Sequence, residues 1–125
     1  MDSKEVVEKR KNKRFRSKDL AYAAFRSDTI KIGQIVDVSM GGLAFHYIAD
    51  GDPINESREL EIYFASNSLH MKDIPFNTIS DFELTSEFPF RFIIMRRRGV
   101  QFGELTQFQV AQLGYLIQNY TVGEV

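Results

Sequence analysis

The sequence predicts an all-β fold with one C-terminal helix: a closed or nearly closed antiparallel barrel of about six strands. Three observations predict it. Short segments with period-two alternation recur from Ala21 to Phe102. Clusters of Gly, Pro, Asn, Asp and Ser separate them, the spacing of a small barrel rather than of βαβ units. Only after Thr106 does the apolar pattern change to helical spacing.

Residues 1–18 are polar, with only Val6, Val7 and Phe15 to bury. They read as a flexible basic arm, with one helical turn around residues 5–9. Structure proper is expected from about Ala21. Ala21–Arg26 is a short strand. Ile30–Val38 puts Ile30, Ile32, Val36 and Val38 on one face, with Gly33 a candidate bulge. The segment 42–48 puts Leu43, Phe45 and Tyr47 on one face. Glu59–Phe64 sets Leu60, Ile62 and Phe64 against Glu59, Glu61 and Tyr63. A further strand over 74–84 carries Phe76, Thr78 and Ile79. The stretch 92–102, with Ile94, Val100 and Phe102, is one long strand or two short ones. Turn residues fall at 50–53, 66–68 and 87–89. Thr106 is the N-cap of a helix running to about 119, with Val110, Leu113 and Ile117 as its apolar stripe. Gly114 costs that helix about 1 kcal/mol relative to alanine. The helix is suited to plug a barrel mouth or to pair with a partner. The expected organisation is therefore an arm over 1–18 and a barrel domain over 19–125, with its helix over about 106–119.

Composition narrows the function classes. A chain of 125 residues is one domain's worth, 43% hydrophobic and 26% charged, as expected of a globular protein. It has no cysteine, which removes disulfides, thiol nucleophiles and thiolate metal sites and fits a reducing, cytoplasmic setting. His46 and His70 are far apart and form no ligand cluster. No apolar run reaches the length of a membrane span, so no membrane insertion is expected. The net charge of −1 hides an asymmetry: residues 1–18 hold eight Lys/Arg and three Asp/Glu, a balance of +5, and the remainder holds eight and fourteen, a balance of −6. A basic arm on an acidic body calls for an anionic partner at the arm and argues against general nucleic-acid binding by the body.

Two features carry chemistry. The first is Arg10-Lys11-Asn12-Lys13-Arg14, two arginines four residues apart. Guanidinium groups bind phosphate through two parallel donors and stack on flat rings. The spacing alone also fits a solvated basic tail. The second is Asp37-Val38-Ser39-Met40-Gly41-Gly42 at the end of a predicted strand. Ionised Asp37 is a pure acceptor, suited to the N1–H and N2–H₂ edge of guanine, and Ser39 donates or accepts. Gly41 and Gly42 permit positive φ and close approach of backbone to a ligand. The same residues also suit a β-turn in which Asp and Ser cap local backbone groups.

In this order, about 25 residues apart, the two features resemble the PilZ domain family, whose pattern is Arg-x-x-x-Arg followed by Asp/Asn-x-Ser-x-x-Gly. Arg10, Arg14, Asp37, Ser39 and Gly42 match, and Asp37–Phe45 and Gly99-Val100-Gln101-Phe102 add to the likeness. The resemblance spans roughly Lys9 to the C-terminus. It implies a six-stranded PilZ-like split barrel and a receptor for cyclic di-GMP. By that resemblance Arg10 and Arg14 would grip phosphates and stack on guanine, Asp37 and Ser39 would read guanine edges, and Gly42 would keep the turn open, with Gly41 beside it. Lys9 corresponds to a basic residue that in some relatives helps hold an intercalated ligand dimer; lysine lacks arginine's stacking face.

Simpler roles suit the remaining polar and aromatic residues. In Arg96-Arg97-Arg98, Arg96 and Arg98 share a face and Arg97 opposes them. Arg98, just before Gly99, is the candidate for an added phosphate or stacking contact; a solubilising barrel exterior is the plainer role. His46 reads as a rim residue, Phe88, Phe90 and Phe92 as a core edge, and Asp81 and Glu83 as paired surface carboxylates. No acid–base pair or nucleophile is completed, so no enzyme activity is expected. The expected function is a cyclic di-GMP receptor whose arm orders over the ligand and passes the signal to an effector protein, or through pairing with a second copy. A ligand-independent interaction module is one alternative, and a small RNA-binding barrel with stacking Tyr and Phe residues is another. No cofactor other than the ligand is expected.

Overall fold

The period-two segments fold as one continuous antiparallel sheet. A computed structural model describes residues 13–17, 21–26, 30–49, 59–64, 69–84 and 94–124. Lys9, Arg10, the turn expected at 5–9, Phe88, Phe90, Phe92 and the three turn clusters lie outside the described residues. Among those described, the strands are β1 (Phe15–Ser17), β2 (Ala21–Arg26), β3 (Ile30–Val38), β4 (Gly42–Ala49), β5 (Glu59–Phe64), β6 (His70–Glu83), β7 (Ile94–Phe102) and β8 (Thr121–Glu124). The helix α1 (Gln107–Tyr120) precedes β8.

The sheet order is β2-β5-β6-β7-β4-β3-β1-β8, and β2 also pairs with β3. That extra pairing closes a six-stranded barrel from β2 to β7. It is possible because β3 changes partner along its length. Its first half faces β2, from Ile30 opposite Arg26 to Gln34 opposite Tyr22. Its last residues, Asp37 and Val38, face Arg16 and Phe15 of β1. β8 then pairs with the far side of β1. A strand therefore stands at Phe15, inside the stretch expected as arm. Three residues carry no legible alternation; partners on both sides define the strand.

The barrel interior is filled as alternation requires. Leu43, Phe45 and Tyr47 of β4 are buried, as are Leu60 and Ile62 of β5 and Val100 and Phe102 of β7. Ala21 and Ala23 of β2 leave room for the rings of Phe25, Phe45 and Tyr47, whose centroids lie 5.6 to 6.3 Å apart. Such tilted and edge-on aromatic contacts add to the area they bury. Leu113 and Leu116 of α1 complete the same core.

Three expectations do not hold in the structure. Ile30 and Ile32 do not face the core; they are 59% and 61% exposed, and Lys31 and Ile35 are buried instead. The strand breaks phase between Ile35 and Asp37, where its register with β4 shifts, so Val38 is nevertheless buried. A bulge of this kind inverts the faces on its two sides, which simple counting cannot see. Gly33 is not the bulge. A Cβ there would lie 2.5 Å from the Phe45 ring and from the His46 carbonyl oxygen. On α1 the buried stripe is Gln109, Leu113 and Leu116, with Val110 42% exposed. Gln109 sets that rotation. It closes a capping box with Thr106, and its Nε2 donates to the carbonyls of Lys72 (2.9 Å) and Asp73 (3.1 Å). Asp73 sits at φ 58° where the β5–β6 register shifts, a left-handed conformation that Asp tolerates. No helix among the described residues is long and apolar enough to cross a membrane.

Candidate functional site

The end of β3, the turn after it and the facing strands enclose a cleft of about 570 Å³, within the range of small-ligand pockets. Arg14, Asp37, Ser39, Gly41 and Gly42 all line it, together with Ser80, Phe82, Arg97, Gly99 and Gln101. The two features that lie apart in sequence are thus brought to one place as far as the described residues reach. β1 does this: Arg14 immediately precedes Phe15, which pairs with Val38.

The turn is held by Ser39. Its backbone N–H donates to the Gly42 carbonyl (2.8 Å), and its Oγ accepts from the N–H groups of Gly41 and Gly42 (3.1 Å each). The hydroxyl also donates to the Gly42 carbonyl (3.2 Å). Ser39 is buried, and its hydroxyl folds the turn. Neither Gly41 nor Gly42 has the positive φ the sequence allowed for; among the described residues Gly123 is the glycine that does. Gly42 is required for another reason. A Cβ would fall 2.1 Å from the Val100 carbonyl oxygen, so only glycine lets β4 come this close to β7.

Asp37 is buried, its side chain only 5% exposed, and its Oδ2 accepts from Arg97 Nη2 at 2.9 Å. Arg97 projects outward from β7, opposite His46 of β4 and Phe82 of β6. His46 is half-buried at the rim, as expected, and its pKa is lowered, by burial first and by the Arg97 charge second, with Asp37 opposing both. Phe82 and Ile79 are exposed apolar residues of the cleft wall.

Arg98 does not line the cleft. It points into the barrel, buried, with Nε donating to Asp81 Oδ2 (3.2 Å) and its guanidinium 5.1 Å from the Phe25 ring centroid and 5.7 Å from that of Tyr47. The cleft arginine of the triplet is Arg97. The signal was present in the sequence, because Arg98 shares its parity with Val100 and Phe102. Asp81 is likewise no plain surface carboxylate. It accepts from Tyr47 Oη (2.6 Å), Arg96 Nε (2.8 Å) and Arg98. Burial acts to raise its pKa, but hydrogen bonds from Tyr47 and Arg96 and the arginine charges outweigh it and hold it below the usual carboxylate value. Burial, then the hydrogen bond to Asp81, pushes the Tyr47 phenol up to about 12. Among the described residues no group of three His, Asp or Glu is placed to hold a metal ion.

Fold and site together define a small barrel with a polar cleft that places cationic and anionic groups side by side at the β3–β4 turn. No family model and no curated protein matches the sequence. Solved structures do match. The chain superposes with a TM-score of 0.71 and 13% identity on the PilZ domain of YcgR from Escherichia coli, solved with c-di-GMP, covering 90% of this chain and 92% of that one. It superposes with a TM-score of 0.70 and 15% identity on MrkH, described as a c-di-GMP-dependent transcription regulatory factor, and on the K. pneumonia MrkH–c-di-GMP complex. Those matches cover 90% of this chain and about half of MrkH, 51% and 52%. The protein has a PilZ-like fold.

Proposed function

We propose that the protein is a cyclic di-GMP receptor, a binding module rather than an enzyme, working in the cytoplasm. One observation carries this: Arg14, Asp37, Ser39, Gly41 and Gly42 line one cleft, on a barrel shared with PilZ structures solved with that ligand. Arg14 supplies a guanidinium for a phosphate or a guanine face, and Asp37 supplies acceptors for the guanine N1–H and N2–H₂ edge. Ser39 contributes by fixing the turn that presents Asp37, and Gly42 by letting that turn sit against β7. Arg10, four residues before Arg14, closes over the ligand from the N-terminal side, and Lys9 adds charge beside it. Ordering of the segment before β1 over the ligand then presents a new surface to an effector protein.

Arg14→Ala and Asp37→Ala test the assignment. Each should weaken calorimetric binding of cyclic di-GMP at least about tenfold, as expected for loss of a charge-assisted contact. Wild-type affinity in both variants would remove the cleft from the account. A ligand-independent interaction module is favoured by one observation, that the Ser39 hydroxyl is already spent inside the turn. That reading predicts no ligand heat from the wild-type protein.

A further inference from the structure

The Arg97–Asp37 ion pair lies in the cleft, yet no role follows for Arg97 from the motifs that define it. Asp37 accepts one hydrogen bond from a described side chain, from Arg97 Nη2 to Oδ2. No buried side-chain nitrogen or oxygen lacks a partner among the described residues, so Oδ1, with no such bond, reaches the cleft surface. A carboxylate has about four acceptor sites and Arg97 takes one. The pair therefore fixes the carboxylate without exhausting it. Arg97 itself is anchored on a central strand, between β4 and β6, with its side chain 27% exposed.

We propose that Arg97 is the positioning residue for Asp37, holding the carboxylate oriented so that its free acceptor sites meet the guanine edge. The proposal rests on the cyclic di-GMP reading and deepens it. The physical ground is the asymmetry of a charge pair with one buried member: a carboxylate 5% exposed keeps its rotamer while Arg97 holds it, and loses that anchor when the cation is removed. Selectivity for guanine follows from the same geometry. A fixed ionised carboxylate accepts two N–H groups from guanine; adenine offers a single exocyclic amine beside a ring nitrogen that is itself an acceptor, which the carboxylate repels.

The test is a double-mutant cycle on the full chain, read by calorimetry with cyclic di-GMP and cyclic di-AMP, on variants whose circular dichroism matches the wild type. Arg97→Met should weaken cyclic di-GMP binding about tenfold or more, as truncating one member of a buried pair does. Arg97→Lys, which keeps the charge and one donor, should restore most of it, because the bond to Oδ2 comes from one nitrogen. In an Asp37→Asn background Arg97→Met should add little, since the residue acts through Asp37. The preference for cyclic di-GMP over cyclic di-AMP should narrow in Arg97→Met. Unchanged or tighter binding in Arg97→Met overturns the proposal, as does a loss that adds in full to that of Asp37→Asn. If the wild type binds neither ligand, the receptor reading itself falls, an outcome distinct from wild-type binding with an indifferent Arg97.

Discussion

At the scale of single residues, short contacts decide what each position must be. Gly42 is fixed by the Val100 carbonyl, 2.1 Å from where a Cβ would stand. Gly42→Ala should destabilise the fold by on the order of 2 kcal/mol or more, because backbone, not a movable side chain, must give way; denaturant unfolding measures it. The Asp81 network makes a prediction about pH. The folded-state pKa of Asp81 is lowered, so its contribution is present above the unfolded value near 3.8 and is lost as pH falls through the folded value. The stability difference between wild type and Asp81→Asn should be constant from about pH 5 to 8 and shrink below about pH 4. A difference that instead grows in acid would contradict the network. Tyr47 has the opposite sign: its raised pKa of about 12 protects the neutral phenol, so its contribution persists below pH 10 and is lost as pH rises through 12. A phenol titrating near pH 10 in the folded protein would contradict that. Asp37, Ser39 and Gly42 were legible as a cluster from spacing. The reasons for Ser39 and Gly42 were not, since they depend on who stands across the sheet.

Elements follow from local pattern where partners agree with it. The N-cap at Thr106 and the helix after it were legible because an N-cap threonine before a helical apolar pattern is a local signal; the reciprocal bond from Gln109 that completes the capping box was not read from it. Thr106→Ala should cost about 1 kcal/mol. Gly114 meets nothing within 4 Å on the helix surface, so Gly114→Ala should stabilise by about 1 kcal/mol; a lower melting temperature would show a constraint the helix does not display. The rotation of the stripe from Val110 to Gln109 was not legible, because carbonyls of β6 impose it across the fold. The faces of Ile30 and Ile32 were hidden by the bulge at Ile35–Asp37. β1 and β8, three and four residues long, have too little sequence to alternate and exist through their pairing.

For the whole molecule, six strands and a terminal helix were enough to predict a closed antiparallel barrel, and closure by β2 against β3 delivers it. Closure also makes the site. It forces β3 to leave β2 after Gln34 and turn its last residues to β1, which carries Arg14 to the cleft that Asp37 enters from the other side. Charge adds direction, with +5 on residues 1–18 and −6 on the rest, so an anion is drawn toward the N-terminal segment of the chain. The most direct measurement is a calorimetric titration of the full chain with cyclic di-GMP, with GTP as control. The account predicts saturable binding of cyclic di-GMP at tens of micromolar or tighter, a free energy of about −6 kcal/mol or better, and no comparable binding of GTP. No heat of binding at those concentrations, or equal binding of both nucleotides, would contradict it.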